Sequence, residues 1–305
     1  QLVLLLRECY LHPNGQIPAY EWNFSDVNPP VHAWAAIRVF QLDGATDRVF
    51  LARVFHKLLL NFTWWVNTKQ HGENLFQGGF MGLDNISPVD RSKLPPSVGY
   101  LEQADSTAWM AMYALDLLGM ALRLALEDHS YEDVATKFFE HFLAIAYAAV
   151  NGGLWDEQDD FFYDVFHRAD GVEIPIRVRS LGGLIPITAA EEYHFGLAGE
   201  LPDFTARALW YLENEPQLAQ SFRMHNDGDV THRLLSLVSP ERLAAMLANV
   251  FDDQRMLSPH GIRSISAWHR DHPFTVDTGA GTATTDYEPA ESTSALFGGN
   301  SNWRG

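Results

Sequence analysis

Short segments that combine glycine, aromatic residues and carboxylates recur along this 305-residue sequence. One of them, GGFMGLDN over 78–85, places Asp84 behind three glycines in an apolar setting. Glycine lets the backbone approach a ligand closely, and apolar neighbours raise the pKa of a carboxyl group. Asp84 is therefore suited to hold a proton near neutral pH and donate it. An Asp-Asn pair after glycine is also the ordinary composition of a turn, and this alternative stays open.

The same mixture of residues returns in four further segments. They are HPNGQIPAYEW (12–22), LEQAD (101–105), GLWDEQDD (153–160) and YEPAESTSALFGGN (287–300). Aromatic faces stack on the apolar faces of a sugar ring, and carboxylates and amides bind its hydroxyls. Hydrolysis of a glycosidic bond needs two carboxyl groups, of which one must be protonated. The loop composition therefore favours a carbohydrate ligand.

Other kinds of site are poorly supported. The run Asp156–Asp160 is more typical of a solvated turn, and it lacks the alternating oxygen ligands and central glycine of a calcium loop. The tryptophans at 64, 65 and 109 lie in helical patterns and are expected in the core. The 13 histidines include no H-E-x-x-H pair, and Gly298-Gly299 is not followed by the lysine of a phosphate loop. We therefore predict neither a metal nor another cofactor.

Composition limits the partners and the compartment. The chain carries 21 basic and 39 acidic residues, a net charge of −18, which argues against binding to nucleic acid. Its apolar stretches are too interrupted to span a bilayer, so no membrane partner is expected. The single cysteine, Cys9, excludes an internal disulfide framework. Nothing in the sequence requires an oxidising compartment, and a cytoplasmic location is favoured.

Helical periodicity positions these loops. Residues 47–66 carry one apolar stripe, with Thr46 as the expected N-cap. Residues 106–127 are apolar nearly all round, which predicts a helix buried on every side. A further helix is predicted from Ser130, where Asp133 completes a capping box, to the stop at 151–153. Another begins at Ser239-Pro240-Glu241. Weaker patterns predict helices over 29–42, 188–193, 203–213 and 216–224.

One region departs from the helical pattern. Residues 161–167 and 172–178 are strand-like and are joined through Asp170-Gly171, which predicts a β-hairpin. Elsewhere, helices that are apolar all round alternate with helices that are apolar on one side. This alternation favours two concentric layers of helices with the loops gathered at one end, although an irregular helical bundle fits the pattern equally well.

Seven segments together resemble bacterial members of glycoside hydrolase family 63. They are HPNGQIPAYEWNFSDVNPPVHAWA (12–35), GGFMGLDNISPVDRS (78–92), LEQADSTAWMAMYALDLL (101–118), GLWDEQDDFFYDV (153–165), SLGGLIPI (180–187), GIRSIS (261–266) and YEPAESTSALFGGNSNWRG (287–305). Each is weak alone, but they occur in the order of the family and span nearly the whole chain.

The resemblance implies an all-α fold, an (α/α)₆ toroid of twelve helices. Since we count eight or nine, we expect an incomplete toroid with a small β-hairpin insertion. We interpret 1–305 as one partial helical glycosidase domain with both ends truncated. The uncovered barrel edge, near residues 1–9 and 29–42, would then be covered by another chain, in an oligomer, or by further sequence.

The activity that the resemblance implies is inverting hydrolysis of an α-glucoside or of a small glycoside such as mannosylglycerate. Asp84 corresponds to the general acid of the family, whose general base follows the NWRG segment and would lie beyond residue 305. Glu288 and Glu291 are the internal alternatives. We expect the loop residues to converge in one pocket at one end of the helices. The predicted sugar-binding residues are Trp22, Asp26, Asp105, Trp155, Asp156 and Trp303. The alternative is a non-catalytic carbohydrate-binding or interaction module with the same fold.

Overall fold

The computed structural model describes residues 1–7, 10–20, 23–83, 86–194, 199–219 and 232–288. About 46% of the chain is helical and about 17% is in strands. In the described ranges the α-helices are α1 (Leu2–Leu5), α2 (His32–Leu42), α3 (Arg48–Lys69), α4 (Ala104–Ala125), α5 (Tyr131–Asn151), α6 (Pro202–Asn214), α7 (Pro216–Ala219) and α8 (Pro240–Val250). Segments Leu181–Thr188 and Ala267–Arg270 are 3₁₀ helices.

Helix α3 confirms the helix predicted over 47–66, with a different N-cap. The side chain of Asp47, rather than that of Thr46, accepts a hydrogen bond from the amide of Phe50 at 2.9 Å. An aspartate at this position satisfies an orphan amide and also places a negative charge at the positive end of the helix dipole. The helix turns its apolar stripe towards α2 and α4.

Helix α4 is the centre of the fold. It is buried on nearly every side, as predicted, and packs against α2, α3, α5 and the 3₁₀ helix Leu181–Thr188. Among the described residues it is the single helix long and apolar enough to cross a membrane, but 89% of its most apolar window is buried inside the protein. Burial of that extent identifies it as a core helix.

Helix α5 spans the predicted residues but begins differently. Ser130 forms no side-chain cap, so the predicted capping box with Asp133 is wrong. Glu132 instead accepts a hydrogen bond from the amide of Phe204 at 2.8 Å, which ties the start of α5 to the start of α6. The helix ends before Gly152, as predicted.

Strands are more extensive than predicted. In the described ranges they are β1 (Gln70–His71), β2 (Leu75–Phe76), β3 (Gly99–Glu102), β4 (Trp155–Asp156), β5 (Phe161–Phe162), β6 (Asp164–Arg168), β7 (Glu173–Ile176), β8 (Ala190–His194), β9 (His232–Ser236), β10 (Leu257–Ser258), β11 (Gly261–Ile262), β12 (Phe274–Asp277) and β13 (Thr282–Thr285). All their pairings are antiparallel. The predicted hairpin is confirmed as β6–β7, but β3 joins it in a three-stranded sheet. The prediction of an all-α fold with only a small β insertion is therefore wrong in the extent of its strands.

The C-terminal part of the described chain gives mixed outcomes. The helix predicted over 188–193 is wrong, because Ala190–His194 forms strand β8 and pairs with β9. The helix predicted over 203–213 is confirmed as α6, and α7 covers the start of the segment predicted over 216–224. Ser239 caps α8 as predicted, its hydroxyl accepting from the amide of Arg242 at 3.3 Å.

The main hydrophobic core joins α2 to α6 and α8 through α4. A smaller core lies between the β3–β6–β7 sheet and the β12–β13 hairpin. Not all apolar surface is covered. Helix α2 exposes Trp34, Val39 and Leu42, the last of them 87% exposed, and α1 exposes Leu4 and Leu5.

Candidate functional site

The glycine-rich loop that leads to residue 84 is fixed to the start of α4. The Gln103 side chain accepts a hydrogen bond from the Gly79 amide at 2.7 Å and donates one to the Gly79 carbonyl at 2.8 Å. A Cβ atom on Gly78 would lie 2.0 Å from the Ser106 hydroxyl oxygen, which explains why glycine is needed there. We call residues 78–83 the glycine loop. Two buried hydrogen bonds hold it at a fixed distance from α4.

The glycine loop also uses unusual backbone conformations. Gly79 and Gly82 have φ values of 87° and 78°, and Met81 has a φ of 54°. A left-handed conformation is uncommon for methionine and costs on the order of 1 kcal/mol or more, so surrounding contacts must enforce it. The buried Met81 side chain supplies them as part of the main core.

A buried ion-pair cluster lies behind this loop. Arg91 forms an ion pair and hydrogen bond with Asp105, and its Nε lies 3.4 Å from Oδ2 of Asp164. Asp164 also accepts the Ala104 amide at 2.8 Å, so the cluster anchors the first turn of α4. We call Arg91, Asp105 and Asp164 the Arg91 cluster. Within the described residues, Nη1 of Arg91 and Oδ2 of Asp105 are buried without a hydrogen-bond partner.

Burial and charge act in opposite directions in the Arg91 cluster. Burial raises the pKa of Asp164 to about 6, against the opposing effect of the Arg91 charge. Burial disfavours the charged form of Arg91, but Asp105 and Asp164 outweigh it and leave the Arg91 pKa raised. The guanidinium is therefore held charged between two carboxyl groups, of which Asp164 is the one closer to taking up a proton.

Asp26 connects the glycine loop to the protein surface. Its Oδ2 accepts a hydrogen bond from the Ser92 hydroxyl at 2.9 Å, and its Oδ1 accepts the Val27 amide at 2.9 Å. Oδ1 also lies 3.0 Å from the position of a Cβ atom on Gly79. Burial lowers the pKa of Lys69 at the end of α3, and the charge of Asp26 partly restores it. A carboxylate and an amine therefore lie on the same side of the loop.

A cavity of about 330 Å³ opens beside Asp26. Tyr20 is 62% exposed at its edge, and Trp65 is buried in its wall. Nδ1 of His32 is buried without a hydrogen-bond partner in the described part of the chain, and burial lowers the pKa of this histidine. We call this space the α2–α3 cavity. Its described lining comprises Leu5, Tyr10, Ile17, Pro18, Ala19, Tyr20, Val27, Asn28, Pro30, His32, Asn61 and Trp65.

Trp155 and Asp156 lie elsewhere. Trp155 borders a different cavity with Glu157 and Arg242, whose guanidinium carbon lies 5.1 Å from the centre of the indole ring. Asp156 binds Arg177 through two contacts of 2.8 and 2.9 Å and caps the turn that follows it. The structure therefore brings Asp26 and Asp105 to the glycine loop and places Trp155 beside another cavity.

The remaining predicted residues are not among those described. Asp84, Trp22 and Trp303 lie outside the described residues, as does Glu291, so their roles stay predictions. Glu288 is described and is partly buried. Within the described ranges, no group of three or more His, Cys, Asp or Glu side chains is arranged to hold a metal ion.

Comparison with known proteins gives one relative by sequence and several structures. No family model matches the chain. The uncharacterized Saccharomyces cerevisiae protein YMR196W is 49% identical over 329 aligned positions, which cover 100% of this chain and 30% of the yeast protein. The chain therefore spans less than a third of the length of this relative.

The solved structures that resemble the chain come from Thermus thermophilus. The GH63 mannosylglycerate hydrolase in complex with glucose has a TM-score of 0.45 and 16% identity, covering 79% of this chain and 67% of the hydrolase. An uncharacterized conserved protein has a TM-score of 0.44 and 16% identity, with the same coverage. At this level of similarity, neither structure supports an inference about the activity of the chain.

Sequence reasoning missed a second buried carboxylate near the same end of α4. Glu102 accepts a hydrogen bond from Nε2 of His167 at 2.7 Å, and burial raises the Glu102 pKa despite this contact. The ring of Tyr100 stacks between those of His71 and His167, with centroid distances of 4.7 Å on both sides. The signal available in the sequence was LEQAD, two acids directly before a wholly apolar helix.

Proposed function

We propose that the chain binds a carbohydrate in the α2–α3 cavity and forms part of a site that hydrolyses an α-glycosidic bond with inversion. The observation that carries the proposal is the pair of hydrogen bonds between Gln103 and Gly79. They fix the loop that leads to Asp84 against Asp26, whose neighbours Val27 and Asn28 line the cavity. Catalysis needs this kind of fixed placement of an acid beside a binding space.

In the proposed reaction Asp84 donates a proton to the glycosidic oxygen as the bond to the anomeric carbon breaks. A second carboxylate removes a proton from water, which attacks that carbon from the opposite face and gives the β-anomer. The two carboxyl groups would stand about 6.5–9.5 Å apart to leave room for the water. By the sequence resemblance the base follows the NWRG segment, and Glu288 and Glu291 are the internal alternatives.

The α2–α3 cavity has suitable chemistry for a neutral sugar. Tyr20 offers an exposed aromatic face, and the unpaired ring nitrogen of His32 offers a hydrogen-bonding group. The described lining carries no carboxylate and no lysine or arginine. A neutral lining favours an uncharged ligand, because an ionic ligand would lose its hydration without gaining a partner.

The same lining supports a second candidate, a carbohydrate-binding module without catalytic activity. Hydrolysis needs two carboxyl groups at the bond, and the described lining supplies neither. The two candidates differ in whether Asp84 and a base act on the bound sugar, so they are separated by measuring turnover and binding on the same protein.

We also infer that the helices form part of an (α/α)₆ toroid. The inference is supported by the position of α4, which is enclosed by other helices, and by the exposed apolar residues of α1 and α2. We propose that this exposed face is covered by another polypeptide segment or by a second chain. Leu42→Glu and Trp34→Glu would then weaken that contact, which size-exclusion chromatography of the complete protein would detect.

The activity is tested with Asp84→Asn in the complete protein. The substitution keeps the shape of the side chain but removes the transferable proton, so turnover of methyl α-glucoside or mannosylglycerate should fall about 10²–10⁴-fold with little change in sugar binding. Asp43→Asn, at an exposed position after α2, is the matched control.

Proton NMR of the first product formed identifies its anomer. A β-anomer agrees with inversion, and an α-anomer contradicts it. Unchanged turnover in Asp84→Asn would remove Asp84 from the acid role. Sugar binding that weakens in Tyr20→Ala, with no turnover by the unmodified protein on any α-glycoside, would select the binding module.

A further inference from the structure

A second polar cavity, of about 290 Å³, lies between the 3₁₀ helix Ala267–Arg270 and the start of β12. It is separate in its lining from the α2–α3 cavity and from the cavity beside Trp155. We call it the Arg179 cavity. Its lining comprises Asp159, Tyr163, Arg177, Arg179, Arg255, Trp268, His269, His272, Pro273 and Phe274.

Arg179 is the feature that needs an explanation. The residue is 7% exposed, and its Nε is buried without a hydrogen-bond partner among the described residues. Its ion pair with Asp159 is long, with 3.6 Å between Nη2 and Oδ2. The same Asp159 oxygen accepts a hydrogen bond from the Tyr163 hydroxyl at 2.9 Å. A buried guanidinium with incomplete partners is costly, and an anion in the cavity would supply them.

Two further guanidinium groups line the cavity. Arg177 is paired with Asp156, and Arg255 with Asp252 at 3.2 Å, but neither carboxylate belongs to the lining. The lining itself therefore presents three arginines and one carboxylate. Both outer pairs are partly exposed, so they leave the arginines able to bind an additional anion at small cost.

The two histidines have structural partners that fix the shape of the cavity. Nε2 of His269 accepts the Arg179 amide at 3.0 Å, so Nδ1 carries the hydrogen that is donated to the His272 carbonyl at 3.0 Å. Burial lowers the His269 pKa, which keeps the ring neutral in this role. The backbone of Arg179 is thereby anchored to the segment that carries Trp268.

Trp268 gives the cavity a flat apolar edge. Its ring stacks on that of His272 with a centroid distance of 3.7 Å and an interplanar angle of 2°, and the residue remains 45% exposed. An exposed indole that is held in place by stacking can receive the ring of a ligand without losing much freedom of its own. The cavity therefore combines an anion-binding wall with an aromatic surface.

We propose that the Arg179 cavity binds the phosphate group of a small phosphorylated molecule, whose organic part lies on Trp268. A phosphate monoester carries about two negative charges and three terminal oxygens, which match several arginine donors better than a carboxylate does. The volume exceeds the space that inorganic phosphate needs, and a sugar ring suits the indole face. This site does not depend on the proposed hydrolysis at Asp84, because the two sites share no described lining residue.

The test is isothermal titration of the complete protein with glucose 6-phosphate, inorganic phosphate, citrate and glucose. Both phosphates should bind and glucose should not bind at this site. Arg179→Gln and Arg255→Gln should each weaken phosphate binding about tenfold or more, as expected for the loss of a charge-assisted hydrogen bond. Arg255 is partly exposed, so its variant tests the proposal even if Arg179→Gln fails to fold. Arg270→Gln is the matched control, because Arg270 is exposed in the same segment and does not line the cavity.

Trp268→Ala separates the two sources of phosphate. It should weaken glucose 6-phosphate and leave inorganic phosphate unchanged. Equal affinity for the two phosphates, both lost in Arg255→Gln, would identify inorganic phosphate as the occupant. Tighter binding of citrate than of either phosphate, phosphate affinity unchanged in both arginine variants, or no phosphate binding at millimolar concentration would overturn the proposal.

Discussion

Replacement of Arg91 by methionine tests the physical account of the buried cluster. Methionine keeps much of the apolar stem but removes the charge, so Asp105 and Asp164 would face each other without a cation. Asp105 is fully buried and Asp164 is nearly so. Removing one partner of a buried ion pair typically costs about 3–5 kcal/mol. We expect a loss of that size in the free energy of unfolding at pH 8.

The loss should depend on pH in a defined direction. The pKa of Asp164 is already raised to about 6 by burial, and without Arg91 it should rise further. A carboxyl group with a raised folded-state pKa stabilises the fold below its unfolded pKa of about 3.9, and this stabilisation disappears as the pH rises through the folded value. The Arg91→Met variant should therefore be closer in stability to the unmodified protein at pH 5 than at pH 8.

Guanidinium chloride denaturation, followed by tryptophan fluorescence at pH 5 and pH 8, measures both effects. The matched control is Arg207→Met, because Arg207 pairs with Asp133 at 2.9 Å while the two side chains are 56% and 76% exposed. An exposed pair contributes about 1 kcal/mol or less, and we expect no trend with pH. Adding Asp164→Asn to Arg91→Met should recover part of the loss. A loss no larger than that of the control, or a larger loss at pH 5, would refute the reasoning.

Two further predictions concern local geometry. Gly78→Ala should destabilise the protein by about 1–3 kcal/mol, since the added methyl would overlap the side chains packed there, whereas Gly199→Ala, in open space, should have little effect; equal midpoints in thermal unfolding would contradict this account. Ser239→Ala should cost about 1 kcal/mol by removing the cap of α8, and Ser130→Ala, where no cap bond exists, should cost clearly less in denaturant titrations; similar losses would be evidence against the observed capping.

The helices were predictable where one element carries its own signal. The apolar residues that bury α4 on every side are visible in the sequence, and Ser239-Pro240 marks the start of α8 without reference to any other part of the chain. Strand β8 carries no such signal. Its sequence AEEYH suits a helix, but it pairs with β9 about 40 residues later, and the Tyr193 hydroxyl donates to the Leu115 carbonyl on α4 at 2.7 Å. Tertiary contacts of this kind override local propensity.

The candidate site was predictable in composition but not in connectivity. The sequence indicated that Asp26, Asp105 and the glycine loop belong together, and the structure places them in contact with one shared framework. It could not indicate that Arg91 would enclose Asp105, because ion pairing depends on which loops meet in space. For the same reason it could not separate Trp155 from this group, since an exposed platform and a packed tryptophan have the same local sequence.

The attachment of the glycine loop to Gln103 has a consequence for hydrogen exchange. The Gly79 amide hydrogen is donated to a fully buried side chain at the first turn of α4, not to water. That amide can exchange with solvent when the hydrogen bond to Gln103 opens, and Gln103 is itself held by its backbone bonds to Phe76 and Thr107. A segment that looks like a surface loop in sequence should therefore exchange on the slow timescale of the protein interior, and its opening should report the unfolding of α4.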